Sequence, residues 1–302
     1  MNLAVNVAGI TLKNPVMPAS GTFGSGKEFS EFLDLNRLGA VVTKGVASVS
    51  WSGNPPPRCT ETASGMLNSV GLQNPGVESF IRNDLEFLKN FNTNIIVNVC
   101  GHSISEYIDV VTALRDTPVH MLELNISCPN VAEGGMSFGT DCHMVEKVVS
   151  RVKKHCRQPL IVKLSPNVTD ICEIAKAAES AGADALSMIN TLLGMKIDVK
   201  RRNFSLAKKV GGLSGAAIKP IAVRMVYQVR RAVKLPIIGM GGIMTGEDAI
   251  EFLMAGATAV AIGTASFHTP TACIDVLDGI EVFMRRYNVP DVNDFGRMLE
   301  SN

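Results

Sequence analysis

Residues 236–264, PIIGMGGIMTGEDAIEFLMAGATAVAIGT, contain one complete strand–helix–strand unit. The runs PIIGMGG (236–242) and AVAIGT (259–264) are short, continuously apolar and end in small residues, whereas GEDAIEFLMAG (246–256) spaces its apolar residues at the helical period. Two strands joined through a helix lie parallel, and strands that do not alternate polar with apolar are covered on both faces.

The same unit recurs along the chain. Further strand candidates are NPVMPAS (14–20), AVVTKG (40–45), NIIVNV (94–99), HMLELNIS (120–127), LIVKLS (160–165) and ALSMIN (185–190). Helix-period segments lie between them at 105–116, 142–156, 170–182 and 221–233. Eight strands in 302 residues fit a closed (β/α)8 TIM barrel better than an open doubly wound sheet. The expectation is a single barrel domain over 1–302. Two connections, 46–93 and 191–235, are too long for a bare helix and rich in Gly, Pro, Ser and Asn, so they read as inserted loops at the C-terminal mouth of the strands.

Composition narrows the function classes. The chain is 46% hydrophobic and 19% charged, which excludes disorder, and its formal net charge of +1 gives no electrostatic reason to expect nucleic acid or an anionic membrane. No apolar run reaches a membrane span and the N-terminus has no basic leader, so a cytoplasmic protein is expected. Seven cysteines (59, 100, 128, 142, 156, 172 and 273) are scattered without a C-x-x-C pair and read as reduced thiols. The pairs Cys142-His143 and His155-Cys156 point in different directions on a helix, so no metal site is expected.

Two motifs are decoys. GTFGSGKE (21–28) approaches a phosphate loop but has Glu28 where a hydroxyl must hold magnesium, and GMGGIMTG (239–246) has Met244 where a dinucleotide fingerprint needs its last glycine. The strand tips are more informative. In a barrel Ser20, Lys44, Asn98, Asn125, Lys163, Asn190, Gly241 and Gly263 face one shared cavity. Asn and Gly also end strands simply because they suit turns, but a buried lysine is uncommon unless it is paired or liganded. Gly241-Gly242 and Gly263-Thr264, at the seventh and eighth tips, match the phosphate site usual in barrels, where bare backbone N–H groups approach an anion. That reading implies a phosphorylated ligand or cofactor. The Met residues and Trp51 read as packing or loop residues.

Taken together, NPVMPASGTFG, TKG, NSVGLQNPG, LELNISCPN, KLSPNVTDI, NTLLGMKID, GGLSGAAIKP, PIIGMGGI and AIGTA resemble the dihydroorotate dehydrogenases of the soluble class 1, most closely subclass 1B, in order over nearly the whole chain. The resemblance implies an oxidoreductase that oxidises dihydroorotate to orotate in pyrimidine biosynthesis, with one FMN held at the strand tips. Its phosphate would lie on Gly241, Gly242, Gly263 and Thr264, with Gly215 nearby, and Ser20, Lys44, Gly45, Asn98, Asn125, Lys163 and Ile189 would surround the rest. Lys163 would carry positive charge to where the reduced flavin becomes anionic.

Substrate would be held by Lys44, by Asn68, Ser69, Val70, Gly71 and Leu72, and by Asn125, Asn190 and Thr191. Amide groups both donate and accept, which suits a planar ring edged with carbonyl and N–H groups. Cys128 would be the general base, since a thiol titrates at about pH 8.5 and needs only a modest change of environment to supply thiolate. Subclass 1B implies a partner subunit carrying FAD and a 2Fe-2S cluster that passes electrons to NAD, around a homodimer of this chain within a heterotetramer. A fumarate-dependent homodimer of subclass 1A is the alternative, and a flavin-free phosphate-binding lyase or isomerase a more distant one. One departure is Ala216, where the family pattern expects proline.

Overall fold

The computed structural model describes residues 1–126, 132, 133 and 136–299. Cys128 lies outside the described residues. The eight expected strands form at β1 (Val16–Pro18), β2 (Ala40–Val42), β3 (Asn94–Val99), β4 (Met121–Asn125), β5 (Leu160–Lys163), β6 (Ala185–Met188), β7 (Ile237–Met240) and β8 (Ala259–Ile262). They make one sheet in the order β1-β8-β7-β6-β5-β4-β3-β2, with every neighbouring pair parallel. The two end strands then meet, with the Gly39 N–H donating to Val16 O at 3.0 Å. A Cβ at Gly39 would lie 2.1 Å from Asn14 O, so the seam depends on a residue without one. This is the (β/α)8 barrel that the strand–helix alternation implies.

Helices Ile104–Leu114, Cys142–Lys153, Ile171–Ser180, Lys219–Ala232 and Gly246–Met254 occupy the five marked segments. Their starts follow from local chemistry: Ser103, Asp141 and Asp170 accept from backbone N–H groups of the first turn, and Thr245 with Asp248 forms a capping box. Among the described residues, the longest helical elements that escape the periodicity are the stretch 77–88, with its π-helical section Phe80–Leu85, and Ala272–Arg286. The second carries Gly279, a residue unfavourable in a helix, at mid-length. Its reason is tertiary, because a Cβ at Gly246 would come within 2.6 Å of the Gly279 carbonyl carbon, so the two helices cross backbone to backbone.

One hydrophobic cluster runs from Val5 to Phe295 and packs the barrel interior and the helix–strand layer. A hairpin of Val5–Val7 and Ile10–Leu12 lies at the N-terminal end of the strands, where Asn94 Nδ2 donates to Thr11 O.

The long connections are not mere loops. Cys59–Thr62 and Gly65–Asn68 from the first, with Leu192–Met195 and Val210–Ser214 from the second, build a four-stranded antiparallel sheet. Glycines allow the close approach: a Cβ at Gly65 would sit 2.0 Å from Ser214 O, and one at Gly212 the same distance from Thr191 Oγ1. Pairing between residues some 145 positions apart leaves no periodic trace in either segment alone.

Candidate active site

At the C-terminal end of the barrel strands lies a cavity of about 420 Å³. The structure brings together in its lining every site residue singled out above apart from Cys128: Ser20, Lys44, Gly45, Asn98, Asn125, Lys163, Ile189, Gly215, Gly241, Gly242, Gly263 and Thr264, with Asn68, Ser69, Val70, Gly71, Leu72, Asn190 and Thr191. The strand order sets Gly241 and Gly263, just past the ends of β7 and β8, across the barrel from Asn98 and Asn125 on β3 and β4. The glycine tips and the asparagine tips are thereby separated by the width of the mouth.

The lysines rest on a buried network. Lys163, 4% exposed, donates from Nζ to Ser20 Oγ at 2.8 Å and stands 3.8 Å from Glu123 Oε1. Glu123, 1% exposed, accepts from Asn98 Nδ2 at 2.6 Å and from Ser187 Oγ at 2.8 Å. On the helix side, Tyr107 donates its hydroxyl to Asn125 O at 2.9 Å and ties the β4 tip to helix Ile104–Leu114.

Lys44 begins at a backbone N–H that donates to Gly24 O at 2.7 Å, and a Cβ at Gly21 would meet its Nζ at 3.8 Å. The rejected phosphate-loop look-alike therefore supports this lysine, with Phe23 buried and stacked on Phe29 at 4.1 Å between ring centroids. Burial pulls the Lys44 ammonium below the ordinary lysine value; Cys100 and Cys59 oppose that, and Lys163 adds to it. Among the described residues no carboxylate is one of the groups acting on it.

At the glycine tips the backbone itself is shaped. Gly241 (φ +123°) and Gly242 (φ +83°) occupy conformations that favour glycine, and a Cβ at Gly242 would fall 2.7 Å from Lys219 Cβ and 2.9 Å from Gly215 O. Gly263 is open, its nearest neighbour being Ala19 Cβ at 3.6 Å. Thr264 Oγ1 donates to Ser214 Oγ at 2.8 Å, and the turn at Ala216 is pinned by the Ala217 N–H donating to Ser64 O at 3.0 Å.

Several lining residues carry no sequence signal of their own. Asn54 donates to Ser69 O and Ser69 Oγ (3.0 and 3.1 Å), fixing the 68–72 turn where Gly71 and Leu72 have positive φ. Asn167 donates to Thr191 O at 3.0 Å and accepts from the Leu193 N–H at 2.9 Å, so it holds the Asn190–Thr191 segment. Met66, Met240 and Met244, read above as packing or loop residues, also line the cavity, as does the exposed Cys59. Glu123 was hidden because LELN reads as one apolar run. Counting alternate residues back from Asn125 would have placed it inside the barrel.

The charge balance is one-sided. Lys44, Lys163 and Lys208 line the cavity, and no Asp or Glu does among the described residues. Such a site suits anionic groups, and its six asparagines (54, 68, 98, 125, 167 and 190) suit a heterocycle rich in carbonyl and N–H groups. A phosphate-bearing ring cofactor fits this set: the glycine backbone for the phosphate, Lys163 for an anionic ring. Among the described residues no three His, Cys, Asp or Glu side chains cluster as metal ligands.

Comparison with known proteins matches this chain over nearly its whole length. The family model described as dihydroorotate dehydrogenase matches residues 2–284. The protein named dihydroorotate dehydrogenase B (NAD(+)), catalytic subunit, of Lachnoclostridium phytofermentans is 64% identical over 294 residues, covering 97% of this chain and 98% of the relative. Its namesake in Alkaliphilus oremlandii is 64% identical over 293 residues, 97% of each chain, and that of Geotalea uraniireducens 54% identical over 294 residues, 97% of this chain and 96% of the relative.

Proposed function

The chain belongs to the dihydroorotate dehydrogenase family, and from that premise we propose that it is the catalytic subunit of an NAD-linked dihydroorotate dehydrogenase, oxidising dihydroorotate to orotate in pyrimidine biosynthesis. The observation that carries this reading is the cavity itself, cationic, amide-lined and without an acidic side chain in its described lining. We read residues 1–302 as one FMN-binding barrel domain. Gly241, Gly242, Gly263, Thr264 and Gly215 would hold the FMN phosphate, and Ser20, Lys44, Gly45, Asn98, Asn125, Lys163 and Ile189 the remainder.

Lys44 binds the substrate carboxylate. Its charge is disfavoured by burial in the free protein and is offset when the anion arrives. Asn68, Asn125 and Asn190, with the turn Ser69–Val70–Gly71–Leu72 and Thr191, orient the planar ring by pairing donors with acceptors. Cys128, three positions beyond Asn125 at the β4 tip, takes the proton from one ring carbon as general base. When bound, FMN supplies the two-electron acceptor for the hydride leaving the neighbouring carbon. Lys163 holds positive charge beside the ring.

The names of the relatives include the words catalytic subunit, which supports a separate partner. We assign to that partner FAD and a 2Fe-2S cluster delivering electrons to NAD, around a homodimer of this chain in a cytoplasmic heterotetramer. No helix among the described residues is long and apolar enough to cross a membrane. The test is spectroscopic. The purified protein should be yellow, be bleached by dihydroorotate under anaerobic conditions, and reduce NAD once its partner subunit is added. A colourless preparation that takes up no FMN refutes the flavin reading, and a lone dimer turning over with fumarate refutes the partner.

A further inference from the structure

We propose that Glu123 is a positioning residue of this site, the buried counter-charge that turns the Asn98 amide and holds the Lys163 ammonium beneath the bound FMN while cancelling part of its charge. The inference rests on the FMN reading above and deepens it.

Glu123 lies two residues before Asn125 on the inward face of β4, opposite Asn98 on β3 and Ile161 on β5. Nothing in the packing calls for an acid there, since Ile161 occupies the same interior layer. A buried carboxylate is unfavourable unless it is paired and hydrogen-bonded, and Glu123 has three partners on three other strands: Asn98 at 2.6 Å, Ser187 at 2.8 Å and Lys163 at 3.8 Å.

Each contact constrains a group that faces the cavity. A carboxylate only accepts, so Asn98 must turn its NH2 inward, which leaves Oδ1 toward Gly45, where a Cβ would lie 3.0 Å from it. Asn98 is thereby set as an acceptor at the cavity wall. Lys163, a point charge on a four-carbon stem, is confined between Ser20 Oγ and Glu123 Oε1. The net charge that Lys163 presents to a ligand is that of the lysine reduced by its acid.

The test is the midpoint potential of FMN bound to the full chain, with FMN affinity measured alongside. Glu123→Gln keeps the shape and removes the negative charge. It should favour reduced over oxidised FMN by at least about tenfold, a rise of ~30 mV for a two-electron couple. Glu123→Asp should restore most of the wild-type potential. Lys163→Met should lower the potential, and the double variant E123Q/K163M should return it toward wild type, because the two charges cancel. A merely structural glutamate would weaken both redox states alike and leave the potential in place.

An unchanged potential in E123Q overturns the proposal, and so does a double variant no higher than K163M. Should E123Q alone fail to fold, the comparison of K163M with the double variant still decides. Wild-type protein that binds no FMN overturns the reading of the site and this inference with it; wild-type protein that binds FMN while E123Q keeps its potential overturns this inference alone.

Discussion

Gly242→Ala tests the phosphate cradle most sharply, because its cost can be worked from the backbone. At φ +83° an alanine is strained by about 1–2 kcal/mol. Its methyl would also stand 2.7 Å from Lys219 Cβ, 2.8 Å from Lys219 N and 2.9 Å from Gly215 O. Two of these are backbone atoms, so the loop must shift, at roughly 1–3 kcal/mol for overpacking. The sum is about 2–5 kcal/mol. An unfolding entropy near 2.1 cal/mol/K per residue gives about 0.6 kcal/mol/K for a chain of this length, so Tm should fall by about 3–8 °C.

Gly263→Ala is the control, since its methyl meets nothing closer than 3.6 Å and its φ lies outside the glycine region. It should melt within about 1 °C of wild type and yet bind FMN more weakly, because the methyl enters the proposed phosphate subsite. Differential scanning fluorimetry on flavin-stripped protein and titration of FMN fluorescence read the two quantities separately. An unshifted Tm in Gly242→Ala refutes the steric reasoning; wild-type FMN affinity in Gly263→Ala refutes the phosphate assignment.

Three further outcomes are expected. Cys128→Ala should keep the yellow colour and slow bleaching by dihydroorotate at least about 100-fold near neutral pH, and stopped-flow absorbance showing an unchanged rate would remove Cys128 as the base. Lys44 has its pKa lowered by burial, so between that value and 10.5 the unfolded chain binds more protons and the stability of the free protein rises with pH. Orotate favours the charged lysine, hence its affinity should be full below the lowered pKa and decline as pH rises through it. Lys44→Met should abolish that dependence, and a spectral titration flat up to pH 10.5 would contradict the assignment. Burial pushes the Cys156 thiol up to about 11 and Cys273 to about 12, whereas Cys59 is exposed in the cavity lining. Iodoacetamide at neutral pH followed by mass mapping should therefore label Cys59 well before Cys156 and Cys273, and orotate should protect it.

Much of this site was legible because a parallel barrel ties a local pattern to a global position. Once PIIGMGG and AVAIGT are read as strands, their last residues must face the mouth, and so must Lys44, Asn98, Asn125 and Lys163. Glu123 escaped for the opposite reason. A charge inside an apolar run looks like noise until the alternation of the strand assigns it a face and three partners. Asn54 and Asn167 escaped because they act on segments that meet only in three dimensions.

The sequence by itself determined the eight barrel strands, the helices between them and the residues offered at the mouth, since burial on both faces and helical spacing are written locally. Only the tertiary structure decided how the seam closes at Gly39, how two long connections pair into a second sheet, and why Gly279 sits in a helix. Those features depend on backbone atoms from distant segments approaching more closely than any side chain permits, a condition that no stretch of sequence read alone expresses.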